Sequence, residues 1–319
     1  MFVLNAFIKA ALRLLAANVK LVAVRFKTFL SGFHKVVVTL EPWAIAIAII
    51  AFAFDRQDRQ QDRLDRHLDL RTAQIDRRQS QLVDSWQLLM TPAPGNSGKK
   101  EALEYLNSQG VSLIGINLHV FHGNGVYLDG LSLPNAQLRG ATFARASLRD
   151  ANLSGSNING AILDEAELGS ADLSNTQIMN ASVKKVIALN ANFTDALLNN
   201  SDLSDSFLVY GDFTDASLER ANLSRAKLGS AKLVRTALNN ADLREADLSN
   251  TDMQDANLES ANLSGADLSD ADLTGANLIY ADLSEANLDN TKLIGAKLSK
   301  MGFEYAESAG AVMQDPNLD

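Results

Sequence analysis

Residues that could do chemistry are scarce in this chain of 319 residues. There is no cysteine, which removes disulfides, thiolate metal sites and cysteine nucleophiles. His119 and His122 are close enough in sequence to share a metal ion, but no acid or third histidine is placed with them. The stretch Gly95–Lys100 lacks the glycine spacing and the Ser or Thr after lysine that a phosphate-binding loop needs. We therefore expect no catalytic residue, no metal site and no cofactor, and the chain is predicted not to be an enzyme.

Acidic residues are abundant, and they are concentrated in the second half. The net charge is −9, of which residues 1–110 contribute +5 and residues 111–319 contribute −14. Such an asymmetry indicates that the two halves face different environments. A basic band over 220–235 precedes the most acidic stretch. Six aspartates in that stretch are the candidate acidic interaction face: Asp242, Asp247, Asp252, Asp267, Asp272 and Asp282.

The second half is an internal repeat of five residues. From Leu133 to Leu298, every fifth residue is Leu, Ile, Val, Phe or Met, with Ala188 as the one exception among 34 positions. The residue two places earlier is Ala, Ser, Thr or Gly at 32 of 33 positions, and the exception, Val186, falls in the same repeat as Ala188. A larger residue beside a smaller one indicates a volume exchange inside a filled interior.

A period of five fits neither a helix nor a flat strand. Five residues rotate by about 500° on an α-helix and change sides on a strand, so neither would bury these positions on one side. A chain that turns a corner once per repeat keeps each central residue pointing inward, and its stacked coils bury a ladder of leucines. Four residues represent this predicted ladder: Leu153, Leu203, Leu263 and Leu273.

These repeats resemble the pentapeptide-repeat family, whose motif is Ala, then Asp or Asn, then Leu, then two variable residues. Ala151–Gly155 and Ala261–Gly265 both read ANLSG, and Ala271–Gly275 reads ADLTG. The resemblance covers 111–319 and implies an all-β solenoid. It would be a right-handed quadrilateral β-helix with four repeats per coil and about 8–10 coils.

The resemblance also implies what the outward residues could do. A rod of this kind suits a non-catalytic scaffold or spacer that binds a protein partner, with no binding to DNA expected. The alternative is a DNA-mimic inhibitor of a type II topoisomerase, because some members of the family inhibit gyrase and rows of acids resemble DNA phosphates. This chain lacks the loop insertions and the C-terminal dimerisation helix of many gyrase-binding members. Outward aspartates also keep a rod soluble, so the scaffold interpretation is preferred.

Residues 1–35 predict a basic amphipathic helix that lies on an anionic membrane surface. Residues 1–40 contain six Lys or Arg and no acid, and apolar residues fill most of the remaining circumference. Four bases fall within about 40° of one another on a helical wheel. They are the candidate membrane-surface residues: Lys9, Arg13, Lys20 and Lys27.

Residues 36–54 predict a single transmembrane helix, because 19 residues rise about 28 Å and so span the hydrocarbon core. Four residues represent the span: Trp43, Ile47, Ile50 and Phe54. A helix that starts at Pro42 has only 13 apolar residues before Asp55, so a re-entrant or surface-bound segment stays open. The expected location is the bacterial inner membrane. Lys and Arg are nearly balanced across the segment, so the side of the repeat array is undecided.

Residues 55–90 predict a polar juxtamembrane helix, since Asp55 precedes Arg59 by four residues and Asp62 precedes Arg66 in the same way. A heptad-spaced apolar stripe, interrupted at Gln61, leaves two interpretations open. The segment is either a coiled coil that makes a homo-oligomer or a solvated spacer.

Shorter segments complete the predicted organisation. Residues 91–98 are rich in Pro and Gly and predict a linker. Residues 99–110 predict a short helix that caps the β-helix and ends at a glycine. Phe303 and Tyr305 are expected to cover the last coil, since both ends of a solenoid need caps.

Overall fold

The structure is a computed structural model that describes residues 42–90, 98–118 and 125–313. The chain divides into two compact units, Met1–Ser80 and Gln81–Asp319. Within these described ranges there are three helices and two short parallel strands: α1 (Pro42–Met90), α2 (Lys99–Ser108), β1 (Asn277–Leu278), β2 (Lys297–Leu298) and α3 (Lys300–Ser308).

The pentapeptides of the second unit form a β-helix solenoid. Parallel bridges join the second residue of each motif to the residue twenty positions later, as between Asn152 and Asp172. Four pentapeptides therefore make one coil with four faces, and nine such coils are stacked. We name the faces A, B, C and D in chain order. Their first regular repeats are centred on Leu133, Leu138, Phe143 and Leu148, and each face continues at every twentieth residue.

Nearly every corner of the coil is the same hydrogen-bonded tight turn. The amide of the motif alanine donates to the carbonyl of the preceding central residue, as from Ala141 N to Leu138 O at 3.0 Å. The residue before that alanine has a positive φ at all 34 corners from Gly130 to Gly295. Together these features define a type II β-turn. Most of these corner positions hold Asn, Asp or Gly and none holds a β-branched residue, as the left-handed conformation requires.

The central residues and motif alanines fill the interior. The predicted ladder residues are buried, with Leu203 and Leu263 at 0% exposure. Val186 and Ala188 are also at 0%. The ring of Phe193 stacks on that of Phe213, with centroids 4.6 Å apart and planes 5° from parallel. The interior is therefore one continuous column of side chains along the solenoid.

The first coil contains a five-residue insertion that the sequence period conceals. Leu113 N donates to Gln137 O, twenty-four residues later, whereas Leu133 N donates to Asn152 O, nineteen residues later. Leu128 N again donates to a carbonyl nineteen residues later, that of Ser147, so the insertion lies between Leu118 and Leu128. Residues 119–124 lie outside the described residues. Because the insertion has the length of one repeat, the phase of the sequence does not slip.

Helix α2 covers the first coil. Leu103 and Leu106 are fully buried in the common core, and Leu89 from the end of α1 joins them at 5% exposure. The edge of the first coil needs such a cover, because an unpaired strand edge can associate with other chains. Three side chains of α2 bond the edge of the first coil: Lys100 Nζ donates to Asp129 O (2.8 Å), Asn107 Nδ2 donates to Pro134 O (3.2 Å) and Glu104 Oε1 accepts from Ser132 N (2.9 Å).

Helix α3 caps the other end. The Tyr305 hydroxyl donates to Ala286 O at 3.0 Å, so this side chain covers the last coil. Phe303 remains 38% exposed and covers less. After the helix, Val312 pairs with Lys292 as the next residue of face A would. Helix α3 thus takes the place of two faces of a tenth coil.

No helix of the described residues is long and apolar enough to cross a membrane. Helix α1 begins at Pro42 and reaches Asp55 after 13 apolar residues. That stretch rises about 20 Å, against the roughly 30 Å of a hydrocarbon core. The transmembrane helix predicted over 36–54 is therefore not supported. Residues 36–41, the amphipathic segment 1–35 and most of the linker 91–98 lie outside the described residues.

Candidate interaction surfaces

The Asp or Asn of each motif holds the corner of its own repeat. Its side-chain oxygen accepts the backbone amide two residues later, as Asn262 does from Ser264 at 3.0 Å. Such a bond stabilises a turn locally and explains why the motif needs Asp or Asn at this position. All six candidate acids make it: Asp242 with Arg244 (3.2 Å), Asp247 with Ser249 (3.2 Å), Asp252 with Gln254 (3.3 Å), Asp267 with Ser269 (3.1 Å), Asp272 with Thr274 (3.0 Å) and Asp282 with Ser284 (3.0 Å).

The structure does not bring these six acids onto one face. The twenty-residue register distributes them in pairs: Asp242 and Asp282 on face C, Asp247 and Asp267 on face D, and Asp252 and Asp272 on face A. Face B holds none of them. A partner that approaches one side of the rod therefore meets only part of the predicted acidic surface.

The basic band before these acids is largely neutralised by aspartates of the preceding coil. Each pair joins residues twenty positions apart, so it also ties one coil to the next. The pairs are Arg225 with Asp205 (2.7 Å), Arg235 with Asp215 (2.7 Å) and Lys232 with Asp212 (3.5 Å).

The same contacts stabilise the ionised carboxylates. Hydrogen bonding from Arg225 lowers the pKa of Asp205, and that from Arg235 lowers the pKa of Asp215. The backbone amide of Ser284 lowers the pKa of Asp282. These carboxylates are therefore charged at neutral pH and already engaged by the rod itself.

Face D carries a cluster of exposed apolar side chains in the middle of the rod. Ile187 and Phe207 occupy the second motif position of successive coils, where Asp or Asn is usual, and their backbones are bridged. They are 43% and 49% exposed, and nearby Leu189 and Tyr210 are 40% and 62% exposed. We call these four residues the apolar cluster. Single exposed apolar residues are ordinary, but a contiguous group on a polar rod is typical of a binding surface.

The apolar cluster has sharp ends along the rod. In the columns of Ile187 and Leu189, the preceding coil supplies Glu167 and Gly169. The coil that follows Phe207 supplies Lys227 in the same column. The cluster is thus two coils high, with polar or small residues on both sides.

A shallow groove runs beside the apolar cluster. Phe207 forms part of its wall together with five charged residues: Lys185, Asp205, Arg225, Lys227 and Glu245. The Asp205–Arg225 pair is internally neutral. Lys185 and Lys227 form no salt bridge with the described residues, although the charge of Lys185 acts on Glu165 and Asp205. The groove next to Phe207 therefore carries three basic side chains against two carboxylates.

The sequence analysis did not predict the apolar cluster, because the charge of outward residues at intervals of five does not reveal it. The signal was present at an interval of twenty. Ile187-Ala188-Leu189 is followed twenty residues later by Phe207-Leu208-Val209, with apolar residues at the same two outward positions. Only the number of repeats per coil makes these residues neighbours.

The remaining predicted site residues lie in the N-terminal part of the chain. Trp43 and Ile47 belong to α1, while Ile50 and Phe54 of the same helix are 50% and 43% exposed. No group of His, Asp and Glu that could hold a metal ion occurs in the described part of the chain. The candidate membrane-surface residues lie outside that part: Lys9, Arg13, Lys20 and Lys27.

Comparisons with known proteins agree with the repeat architecture. A family model described as pentapeptide repeats matches in eight copies, over 124–160, 146–184, 189–225, 226–265 and 261–300. HetL, a pentapeptide repeat protein involved in heterocyst differentiation regulation from the cyanobacterium Nostoc sp. strain PCC 7120, is 31% identical. The match covers 65% of this chain and 89% of HetL, with a TM-score of 0.45.

Two further solved structures show the range of similarity. Another pentapeptide repeat protein from Nostoc PCC 7120 is 32% identical over 32% of this chain and 84% of its own, with a TM-score of 0.30. QnrB1, a plasmid-mediated fluoroquinolone resistance protein, is 17% identical over 56% of this chain and 91% of its own, with a TM-score of 0.44. No match was found among curated protein sequences. None of these matches indicates a catalytic family. The chain belongs to the pentapeptide-repeat family, and its solenoid is the right-handed β-helix of that family.

Proposed function

We propose that this protein is a non-catalytic interaction scaffold whose rod binds a partner protein through the apolar cluster on face D. The observation that carries the proposal is the exposure of Ile187, Leu189, Phe207 and Tyr210 at outward positions that the repeat mostly fills with polar residues. Hydrogen bonds between coils hold the backbone beneath them, from Phe207 N to Val186 O and from Ala188 N to Phe207 O, both at 2.8 Å. A surface held in this way loses little conformational entropy on binding.

The size of the apolar cluster suits a small binding hot spot. Full burial of a side chain such as Phe or Ile contributes about 1.5–3 kcal/mol. Aromatic residues near the centre of an interface carry a large share of the binding energy. Phe207 is bridged to Ile187 and also lines the groove, so we expect it to be the principal anchor.

The charges beside the apolar cluster indicate what kind of partner it fits. Lys185 and Lys227 line the groove next to Phe207 and form no salt bridge with the described residues. Complementary charge steers association and selects the register of a complex. We therefore propose a partner segment that places an apolar side chain against Phe207 and carboxylates against the two lysines.

Proximity labelling in native cells tests this function. Full-length protein with a labelling enzyme at its C-terminus is compared with the Phe207→Asn variant, which restores the usual motif residue. Ile162→Asn is the matched control, because Ile162 occupies the same motif position on face C and is 41% exposed. We expect at least one labelled protein to be shared by wild type and Ile162→Asn and lost with Phe207→Asn. Identical labelling by all three would contradict the proposal.

We also propose that the N-terminal region attaches the rod to an anionic lipid surface, such as the bacterial inner membrane. Ile50, Phe52 and Phe54 near the start of α1 are 50%, 68% and 43% exposed, which leaves apolar surface for a lipid or protein environment. The six bases without an acid in residues 1–40 complement anionic headgroups.

Vesicle flotation of the full-length protein tests the attachment. We expect flotation with anionic vesicles at low salt, reduced when Lys9, Arg13, Lys20 and Lys27 are all changed to Gln. Absence of flotation with any vesicle would contradict lipid attachment, and equal flotation with neutral vesicles would contradict the role of the bases.

The alternative function, a DNA-mimic inhibitor of a type II topoisomerase, has less support. A mimic needs a row of carboxylates on one side, whereas the acids of this rod lie on three faces and bond its corners. We expect no inhibition of DNA supercoiling by gyrase at micromolar full-length protein. Inhibition that disappears when Asp247, Asp252, Asp267 and Asp272 are changed to Asn would favour the alternative, because Asn retains the corner bond without the charge.

A further inference from the structure

The corner of the rod between faces C and D carries charges that alternate in sign along six coils. We call these six residues the charged row: Arg145, Glu165, Lys185, Asp205, Arg225 and Glu245. Neighbours within the row attract each other, as Arg145 pairs with Glu165 at 2.9 Å and Arg225 pairs with Asp205 at 2.7 Å. Four members of the row line the groove beside Phe207, so the charged row borders face D.

A row of six alternating charges is complementary to its own reversed copy. The centre of the charged row lies between Lys185 and Asp205. A two-fold axis through this centre, perpendicular to the rod, places every base of one copy opposite an acid of the other. The opposed pairs are Lys185 with Asp205, Glu165 with Arg225 and Arg145 with Glu245.

The outward residues of face D have the same symmetry about the same centre. The second motif positions read Ser147, Glu167, Ile187, Phe207, Lys227 and Asp247. When this column is reversed, Ile187 and Phe207 exchange places, and the acid beside Ile187 lies opposite the lysine beside Phe207. At the fourth motif positions, Leu189 and Val209 lie at the centre with a glycine on each side. The apolar cluster therefore lies at the midpoint of the charged row.

We propose that the partner of the apolar cluster is a second copy of this chain, packed antiparallel on face D about this two-fold axis. The inference rests on the proposed function, because it names the occupant of the same cluster. Phe207 of each copy then packs on Ile187 of the other, in the self-complementary contact of a two-fold interface. Lys185 lies opposite Asp205 of the second copy, and Lys227 lies opposite its Glu167. The second copy thus supplies both the apolar side chain and the carboxylates that the cluster and its groove fit.

Charge and apolar contact together select this register among the antiparallel ones. A shift of one copy by one coil would set like charges against each other along the charged row, as with Lys185 on Arg225. A shift by two coils would restore the opposite charges, but Phe207 and Ile187 would then lie against polar residues of the other copy. Like charges and unpaired apolar groups are both unfavourable in an interface.

A parallel pair loses most of the charge complementarity. In that orientation the charged row lies opposite the corner on the other side of face D. Of the six corresponding residues there, Asp150 alone is charged, and Lys185 and Asp205 would lie opposite Asn190 and Tyr210. The antiparallel pair is therefore the one that uses the whole charged row.

The dimer should be of modest affinity, because the surface is narrow and its charge contacts are exposed. Six coils at a strand spacing of about 4.8 Å give a contact about 29 Å long. We therefore expect dissociation in the micromolar range rather than an obligate dimer. The apolar contacts should set most of the affinity and the charges should set the register.

Sedimentation of the full-length protein with reversed charges tests the pairing. Lys227→Glu opposes two acids across the interface and Glu167→Lys opposes two bases, so each variant alone should dimerise about tenfold more weakly than wild type. An equimolar mixture of the two variants restores both pairs of opposite charges in a heterodimer. The mixture should therefore associate within about threefold of wild type. Phe207→Asn should weaken dimerisation, and Ile162→Asn on face C should leave it unchanged.

The outcomes separate this inference from the proposed function. Matching melting temperatures show that the variants remain folded. A monomeric wild type at 100 µM, about the top of the expected range, or a mixture that associates no better than its components, would overturn the second copy as partner. The proposed function would survive that result if proximity labelling still identified another protein that is lost with Phe207→Asn.

Cross-linking of the full-length protein tests the orientation, because the chain has no native cysteine. Val209→Cys lies next to the axis, so a short bis-maleimide should join its two copies. The thiols of Ser249→Cys would be about 24 Å apart along the antiparallel pair and should stay unlinked, whereas a parallel pair would bring them close. Ser264→Cys, at the same motif position on face C, is the control for random collision. A yield from Val209→Cys no higher than that from either of the other two would overturn the proposal.

Discussion

The β-helix and the polar part of α1 are both regular repeats rich in paired charges, but only the β-helix has an interior. Leu263 of the rod is fully buried, whereas Leu64, Leu68 and Ile75 of α1 are 58%, 54% and 56% exposed. A leucine in the rod is covered by the coils on either side of it and by the facing side chains of its own coil. At Leu64, Leu68 and Ile75 the helix has no such cover among the described residues, whereas Leu89 at its end joins the core of the first coil. Regular spacing of apolar residues is therefore not enough to indicate burial, because the repeat must also close on itself.

The ion pairs of the two regions also differ in which parts of the fold they join. In α1, Arg59 pairs with Asp55 one turn away, and the pair supports only the local helix. In the rod, Arg145 pairs with Glu165 at 2.9 Å, and the two residues belong to neighbouring coils. Both pairs are exposed and each contributes little to stability alone. The rod pairs differ in that their contribution is tied to the stacking of coils.

The largest expected difference between the two regions is their loss of stability when a leucine is replaced by a charged residue. Leu263→Asp buries an unpaired carboxylate in the β-helix and should cost about 4 kcal/mol or more, enough to unfold part of the rod. Leu68→Asp in α1 and Ser264→Asp on the rod surface should each change stability by less than about 0.5 kcal/mol. Thermal unfolding followed by circular dichroism measures all three. Equal melting temperatures for Leu263→Asp and Ser264→Asp would show that the inward assignment is wrong.

The second-largest expected effect is a loss of stability of the rod at acidic pH. The pKa values of Asp205, Asp215, Asp242 and Asp282 are lowered by hydrogen bonds in the folded rod. Their contribution to stability is complete above the unfolded pKa of about 3.9 and is lost as the pH falls through the lower, folded values. We expect the melting temperature of the rod to fall between pH 5 and pH 3.

A matched variant identifies the source of this pH dependence. Asp282→Asn removes one titrating group and keeps the bond to Ser284, so its melting temperature should fall less with acid than that of wild type. A melting temperature that is constant or rises from pH 5 to pH 3 would contradict the assigned contacts.

Loss of a single corner bond should have the smallest effect. Asp282→Ala leaves the Ser284 amide without its partner at 3.0 Å and should cost about 1 kcal/mol, while Asp282→Asn should be nearly neutral. Denaturant unfolding of the full-length protein measures both. If the two variants are equally destabilised, the charge rather than the hydrogen bond holds the corner.

The sequence predicts the inside of the rod better than its outside, for a physical reason. Burial repeats every five residues, so the phase that begins at Leu133 identifies each ladder position. Neighbours on the surface repeat every twenty residues, and no residue of the motif encodes that number. Asp242 and Asp247 therefore look like members of one acidic stretch although they lie on different faces. Ile187 and Phe207 look unrelated although their backbones are bridged.

Contacts at the ends of the rod were hidden for another reason. The sequence of 99–110, with its closing glycine, predicts a capping helix, but not that Glu104 accepts the amide of Ser132. That bond depends on where the first coil begins, and the insertion between Leu118 and Leu128 changes this position without changing the phase. Length changes that equal one repeat are invisible to a periodicity argument.

Site-specific photocrosslinking in native cells tests whether the rod binds its partner through the apolar cluster. A photoreactive phenylalanine analogue is placed at Phe207 on face D or, as a control, at Ile162 on face C, which is 41% exposed against 49% for Phe207. We expect a discrete covalent adduct to a partner protein at position 207 and none at 162, and a weaker adduct when Lys227 is changed to Glu. No adduct at position 207, or the same adduct from both positions, would contradict it.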